Sequence, residues 1–346
     1  MGITFLIILF LISSAVIWYA GVYLAKATDT IDTRFNLGDA LGGLILLGIA
    51  GSLPEIAVVV SAALKGNYDV IIGNLIGGIS IQTLVIIIFD AIVKGKKPLS
   101  YLAGSAMLAL EGLFAIVIIA MTIVGAKLPA NVHFAGISPI SILIVLAWIL
   151  GLFLIDKVRQ IKAFNTVLPD ADPGRRHKER RAVENHVFFK GRSNSFVFLI
   201  FGLGALATLI AGVVLERTGN SIATTFGISS GIFAATFMGL ATSLPEISTG
   251  VESILIGDNQ LSISDIFGGN AFMPVIFILA DILSKKPVMT FSTGQDIGFA
   301  ILGILLTAIY SIAYIFKPQR RFLRLGIDSI LVLIFYILGL ALIFTH

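Results

Sequence analysis

The sequence contains no cysteine, four histidines and few charged residues, 13% of 346. The missing thiols exclude disulfides and thiolate metal sites. His133, His177, His186 and His346 all fall outside the apolar runs or at their ends, which excludes a histidine-bound metal in an apolar core. The thin charge, with 57% hydrophobic residues and a mean hydropathy of +1.00, is far from the roughly quarter-charged composition of soluble domains. Lipid is therefore the solvent expected for most of the chain, and no room remains for a sizeable soluble domain. A net charge of +4 does not point to nucleic acid, because Lys and Arg sit between the apolar runs, where they set membrane topology.

What is present is a series of apolar runs near 3–25, 38–64, 70–93, 100–124, 137–155, 195–215, 222–255, 261–283, 294–316 and 325–345. At about 20 residues per crossing, these predict an all-α polytopic membrane protein of ten transmembrane helices. The first run lacks a basic leader and a small-residue cleavage site, so it is expected to stay as a helix. Between Asp156 and Arg192 lie ten basic residues against five acids, which assigns that stretch to the cytoplasm. The same stretch divides the chain into a first five-helix unit at 1–155, a linker at 156–194 and a second five-helix unit at 195–346. Counting outward also places Lys94, Lys96, Lys97, Lys317, Arg320, Arg321 and Arg324 inside and both termini outside, with Lys285 and Lys286 as exceptions. Units with an odd number of spans enter the membrane in opposite senses, so two inverted repeats are expected.

The duplication is visible directly. Residues 50–90 overlay 241–281 without a gap: Ala50, Ser52-Leu-Pro-Glu-Ile56, Val60, Gly66, Ile72, Gly77, Gly78, Ile87 and Asp90 recur as Ala241, Ser243-Leu-Pro-Glu-Ile247, Val251, Gly257, Ile263, Gly268, Gly269, Ile278 and Asp281. Pro54 and Pro245 cannot donate to the carbonyls of Ala50 and Ala241, so each is expected to kink its helix. A freed carbonyl in lipid needs a partner. Glu55 and Glu246 follow directly, and an ionisable group in the membrane costs at least about 2.5 kcal/mol and marks a functional site by default. A protonated, hydrogen-bonded packing residue is the alternative, and a matched pair in matched motifs argues against it. Ser52, Thr242 and Ser243 add hydroxyls. Oxygen ligands of this kind suit hard cations. The glycine pairs Gly77-Gly78 and Gly268-Gly269 are expected to let neighbouring helices pack closely.

At these residues the chain resembles the sodium/calcium exchanger superfamily of cation/Ca²⁺ antiporters, whose two alpha repeats carry Gly-Thr-Ser-Leu-Pro-Glu and then Gly-Ser-Asn-x-x-Asn or Asp. Residues 51–55 and 242–246 carry the specific part of the match. The resemblance implies that Glu55 and Glu246 bind Ca²⁺ and share their space with the counter-ion. It also implies flanking ligands at Ser52, Thr242 and Ser243 and backbone oxygens at Gly48 and Gly239. The sequence departs from the pattern where Gly51 replaces threonine, Gly78 and Gly269 replace serines, Gln82 replaces asparagine and Met273 replaces asparagine or aspartate. A thioether is a poor partner for hard cations. With two acids at the centre, one Ca²⁺ balances two Na⁺ or two H⁺, which predicts altered, electroneutral coupling.

The function expected is a secondary antiporter, not an enzyme, moving Ca²⁺ against Na⁺ by alternating access. The alternative keeps the fold and uses H⁺, because a carboxyl group stripped of water readily takes a proton. No cofactor is called for, and the partners are the two ions and membrane lipid. A channel has no continuous pore to predict it, and an enzyme would require a nucleophile with its base, paired aspartates or a metal cluster in the spans. Asp265, in the place of Asn74, is the best candidate for lining an entry path. Glu111 is a candidate for proton coupling, or for pairing with a neighbouring helix. Asp90 and Asp281 read as solvated interface residues, and the basic stretch 175–181 as a topology signal.

Overall fold

A computed structural model describes residues 2–35, 48–160, 188, 189 and 191–345. The linker's basic stretch and the start of the second apolar run lie outside the described residues. Among the described residues the named elements are helices and one two-strand hairpin, β1 (Arg321–Phe322) with β2 (Leu325–Gly326). The helices are α1 (Ile3–Phe35), α2 (Leu53–Lys65), α3 (Tyr68–Ile92), α4 (Leu99–Ala103), α5 (Ala106–Lys127), α6 (Pro139–Gln160), α7 (Asn194–Phe226), α8 (Ser230–Thr242), α9 (Leu244–Ile256), α10 (Asn259–Ser284), α11 (Gly294–Phe316) and α12 (Ile327–Thr345). Eight of them are long and apolar enough to cross a membrane: α1, α3, α5, α6, α7, α10, α11 and α12.

Most helices of the second half repeat those of the first. Helices α1 and α7 have 33 residues each and start 191 positions apart. The same offset relates α2 to α9, 13 residues each. Both of these end on a left-handed glycine, Gly66 (φ 72°) and Gly257 (φ 94°), a conformation that glycine adopts without steric cost. At about 1.5 Å per residue, 33 residues span about 50 Å. That exceeds a hydrocarbon core of about 30 Å, so α1 and α7 must tilt. Their polar ends explain why hydropathy alone places the boundaries too early, at 25 and 215. Arg34, near the end of α1, donates to Asn194 Oδ1 at the start of α7 (2.7 Å), so this equivalent pair runs antiparallel.

The halves interlock through small residues. A Cβ added at Gly21 would stand 2.5 Å from Pro245 Cγ, and one at the equivalent Gly212 would stand 2.5 Å from Ala57 Cβ. Each long helix thus seats against the proline-bearing helix of the other half. Wide turns of π type at Gly73–Gly77 in α3 and Ala234–Met238 in α8 also meet, with Gly77 pressed on Ala235. Small residues at such crossings let backbones approach in lipid.

Asp90 and Asp281 are buried rather than solvated, because each accepts three hydrogen bonds. Asp90 takes Leu99 N–H (2.7 Å), Gly326 N–H (2.6 Å) and the Ser329 hydroxyl (2.8 Å). Asp281 takes Val288 N–H (2.7 Å), Ser138 N–H (3.0 Å) and the Ser141 hydroxyl (2.6 Å). Each aspartate therefore pins the next segment of its own half and the start of the last helix of the other half. Adjacent lysines suggested solvation, but satisfied backbone donors compensate for desolvation.

Candidate ion-binding site

The two Ser-Leu-Pro-Glu motifs interrupt their helices at a single residue. The chain is helical over 48–51, pauses at Ser52 (φ −89°, ψ 13°) and resumes as α2; α8 ends at Thr242, pauses at Ser243 (φ −83°, ψ 2°) and resumes as α9. Pro54 and Pro245 sit in the first turn of the new helices, where the missing N–H costs nothing. Glu55 and Glu246 consequently lie at helix N-termini, where the backbone dipole favours negative charge.

Both glutamates are buried, Glu55 completely and Glu246 to within 8% exposure. Neither oxygen of Glu55 nor Oε2 of Glu246 has a hydrogen-bond partner, although buried polar groups are normally satisfied. Glu246 lies within electrostatic reach of Glu55 and of Asp265. Thr242 stands beside Glu55, and a Cβ at Gly51 would stand 4.0 Å from Glu246 Oε1. Gly51 and Thr242 hold the same place in the two repeats, so each glutamate faces the other half at the same point. A second reciprocal pair frames the first. Gln82, with its Oε1 unpartnered, abuts Gly269 (3.3 Å to a built Cβ), and Met273 Cε abuts Gly78 (3.3 Å).

Ser52, Thr242 and Ser243 are all buried beside these carboxylates in sequence. The Gly239 carbonyl accepts from Ser243 N–H (3.1 Å), Ser243 Oγ (2.7 Å) and Thr242 Oγ1 (3.2 Å). The hydroxyl oxygens keep lone pairs for an ion, while that carbonyl is already engaged. Gly48 lines a separate cavity.

Two cavities approach the pair. The larger, about 300 Å³, is walled by α1, α9 and α10 and reaches Glu246, Gly51 and both prolines, with Asp29, Asp32, Glu252 and Asp265 along it. Lys26 and Glu252 form an ion pair at its mouth (3.2 Å), both partly exposed. The smaller, about 100 Å³, is lined by Glu111, Gly48, Gly268, Gly269 and Asp265. Asp265 lines both cavities and accepts from the Thr249 hydroxyl (3.2 Å).

The region related to the larger cavity by the repeat carries a buried acid. Glu216 takes the place of Ala25. Fully buried, it accepts from Lys65 Nζ (2.6 Å), the Ser61 hydroxyl (2.7 Å) and Asn67 Nδ2 (3.2 Å). Reading the sequence missed Glu216, Asp29 and Asp32 because each lies just beyond a run whose end their own charge defined. The spacing of Gly21 and Gly212, also 191 residues, was the signal that the long helices extend equally.

The sequence profile of the sodium/calcium exchanger protein family matches residues 5–169 and 195–345, one block for each half. The chain belongs to the sodium/calcium exchanger family. This makes it a multi-pass membrane protein of an antiporter family whose members carry Ca²⁺ against a monovalent cation. This exchanger is 25% identical over 281 residues to the provisionally named antiporter CaxA of Alkalimonas amylolytica, covering 81% of each chain. It is 21% identical to the inner membrane protein YrbG of Escherichia coli K12, covering 87% of each. Among solved structures, it shares its fold with an H⁺/Ca²⁺ exchanger, CAX (TM-score 0.63, 13% identity, 98% of this chain and 88% of that one). The sodium-calcium exchanger NCX_Mj is also similar (TM-score 0.58, 15% identity, 98% and 99%).

Proposed function

We propose that this exchanger moves Ca²⁺ against Na⁺ across the plasma membrane at a single site shared by Glu55 and Glu246. The observation that carries this reading is the reciprocal approach of the two buried, underbonded carboxylates, each turned to the opposite half. Two carboxylates neutralise one divalent ion, and an uncompensated pair of buried charges is strongly unfavourable without a cation between them. Ser52, Thr242, Ser243 and Gln82 supply further oxygens. Competition follows from this geometry, because Ca²⁺ and monovalent ions claim the same carboxylates and each leaves by exchange.

The reading includes ten membrane-crossing segments, the eight long helices together with the two interrupted at Ser52 and Ser243. They form two inverted five-helix repeats, 1–155 and 195–346, about a cytoplasmic linker at 156–194. Antiparallel α1 and α7 support the inversion. With the basic linker inside and the termini outside, the cavity between α1 and α9 opens to the cytoplasm, and Glu216 closes the matching path from outside. The structure then corresponds to an inward-facing state, and alternating access exchanges the roles of the two sides.

A second reading has H⁺ as the counter-ion. It is favoured by the oxygens lost at Gly51, Gly78, Gly269 and Met273, since a proton needs no coordination shell. The deciding experiment is Ca²⁺ uptake into vesicles under a Na⁺ gradient at fixed pH, against uptake under a pH gradient without Na⁺. Uptake in the first arm alone supports Na⁺; uptake in the second alone assigns H⁺. Uptake in neither, with purified and reconstituted protein, contradicts Ca²⁺ exchange.

A further inference from the structure

Three of the differences between the halves fall on one wall. Thr208, Thr249 and Asp265 stand where the other half has Ile17, Val58 and Asn74. All three line the larger cavity together with Glu246. Each difference adds an oxygen on the Glu246 side and none on the Glu55 side.

Thr208 is fully buried, and its hydroxyl has no hydrogen-bond partner. Hydroxyls on these helices usually bond the carbonyl four residues back, as Thr28, Thr30, Thr218 and Thr307 do here. Thr208 lines the cavity without making that bond. Glu246 Oε2 is unpartnered in the same cavity. Asp265 lies within electrostatic reach of both Glu246 and Asp29, so acidic side chains continue from the mouth to the centre.

We infer that Glu246, Asp265, Thr249 and Thr208 form a Na⁺ station in the vestibule, one step short of the central pair. The inference rests on the reading of Glu55 and Glu246 as the Ca²⁺ site. Monovalent charge fits because one of the two carboxylates is shared with that site and the other ligands are neutral hydroxyls. Among the described residues, no group of three or more acidic, histidine or cysteine side chains is placed to hold a metal ion. A cation held here draws Glu246 away from bound Ca²⁺ and assists its release toward this side. Asp265 adds a third acidic group beside the central pair, so a count of two acids understates what is available to monovalent ions.

The test copies one wall onto the other. The full-length protein and the variants Thr208→Ile, Thr249→Val, Asp265→Asn and their triple combination are purified. Displacement of bound radioactive Ca²⁺ is then followed with NaCl, KCl and choline chloride at fixed pH, normalised to each variant's own Ca²⁺ affinity. The triple variant, and Asp265→Asn alone if the triple does not fold, is expected to need about tenfold more NaCl, the effect of losing a charge-assisted contact. An unchanged NaCl requirement overturns the station, and so does equal displacement by NaCl and choline chloride in the unmodified protein. Glu55→Gln separates the two ideas: if it leaves Ca²⁺ binding intact, the central reading fails, whereas loss of binding there beside an unchanged NaCl requirement defeats the station alone.

Discussion

The α1–α9 interface and its counterpart between α7 and α2 share a register and a glycine–proline seat, yet one holds a cavity of about 300 Å³ and the other a buried carboxylate with three donors around it. Gly21 seats on Pro245 as Gly212 seats on Pro54 and Ala57, so the scaffold is not what differs. The difference lies in a few side chains above the seat. Ala25 leaves space where the larger Glu216 fills it, and the buried Glu216 carboxylate gathers Lys65, Ser61 and Asn67 around itself. A symmetric frame thus carries an asymmetric set of contacts. An exchanger needs this arrangement: the frame makes both sides able to open, and the side chains decide which one is shut.

The largest effect is expected from removing the closure. Because the chain has no cysteine, a single Ala62→Cys reports access on the filled side and Ser253→Cys on the open side, each read with a membrane-impermeant thiol reagent. In the unmodified background Ser253→Cys reacts and Ala62→Cys does not. Adding Glu216→Ala removes the acceptor shared by Lys65, Ser61 and Asn67, a loss of about 1–3 kcal/mol, and the Ala62→Cys labelling rate rises. No rise would mean that packing, not Glu216, holds that side closed.

Transplanting the closure sharpens the comparison. Ala25→Glu with Ile256→Lys places the same pair on the open side, where Ser253→Cys labelling and Ca²⁺ exchange are both expected to fall. A smaller, symmetric effect belongs to the aspartates that join the halves. Asp90→Asn and Asp281→Asn each turn one acceptor oxygen into a donor facing N–H groups, a cost of about 1–3 kcal/mol. Thermal unfolding in detergent should show equal losses, and unequal losses would mean that the repeated geometry is not repeated energetics. The smallest effect is expected for Lys26→Ala, since the partly exposed Lys26–Glu252 pair is worth less than about 1 kcal/mol. Exchange rates should barely change.

Much of this was legible in the sequence. The gapless overlay of 50–90 on 241–281 gave the duplication, and Ser-Leu-Pro-Glu gave the buried pair and its family. Helix continuity was harder to read. Proline predicted the kink, and the structure centres it on the serine two residues earlier, whose bridging conformation starts a new helix and places both glutamates in its first turn. Hydropathy ended α1 at 25 and α7 at 215, because Asp29, Asp32 and Glu216 look like loop residues until their tertiary partners are known. The burial of Asp90 and Asp281 was hidden for the same reason: their partners are backbone N–H groups from distant segments, which no local pattern displays.

The most direct test of the account is Ca²⁺ binding to the purified protein, measured calorimetrically at fixed pH and ionic strength for the unmodified chain, Glu55→Gln and Glu246→Gln. A shared two-carboxylate site predicts that either substitution weakens binding by about a hundredfold or more, about 2.7 kcal/mol. Binding that survives intact in either variant would contradict it.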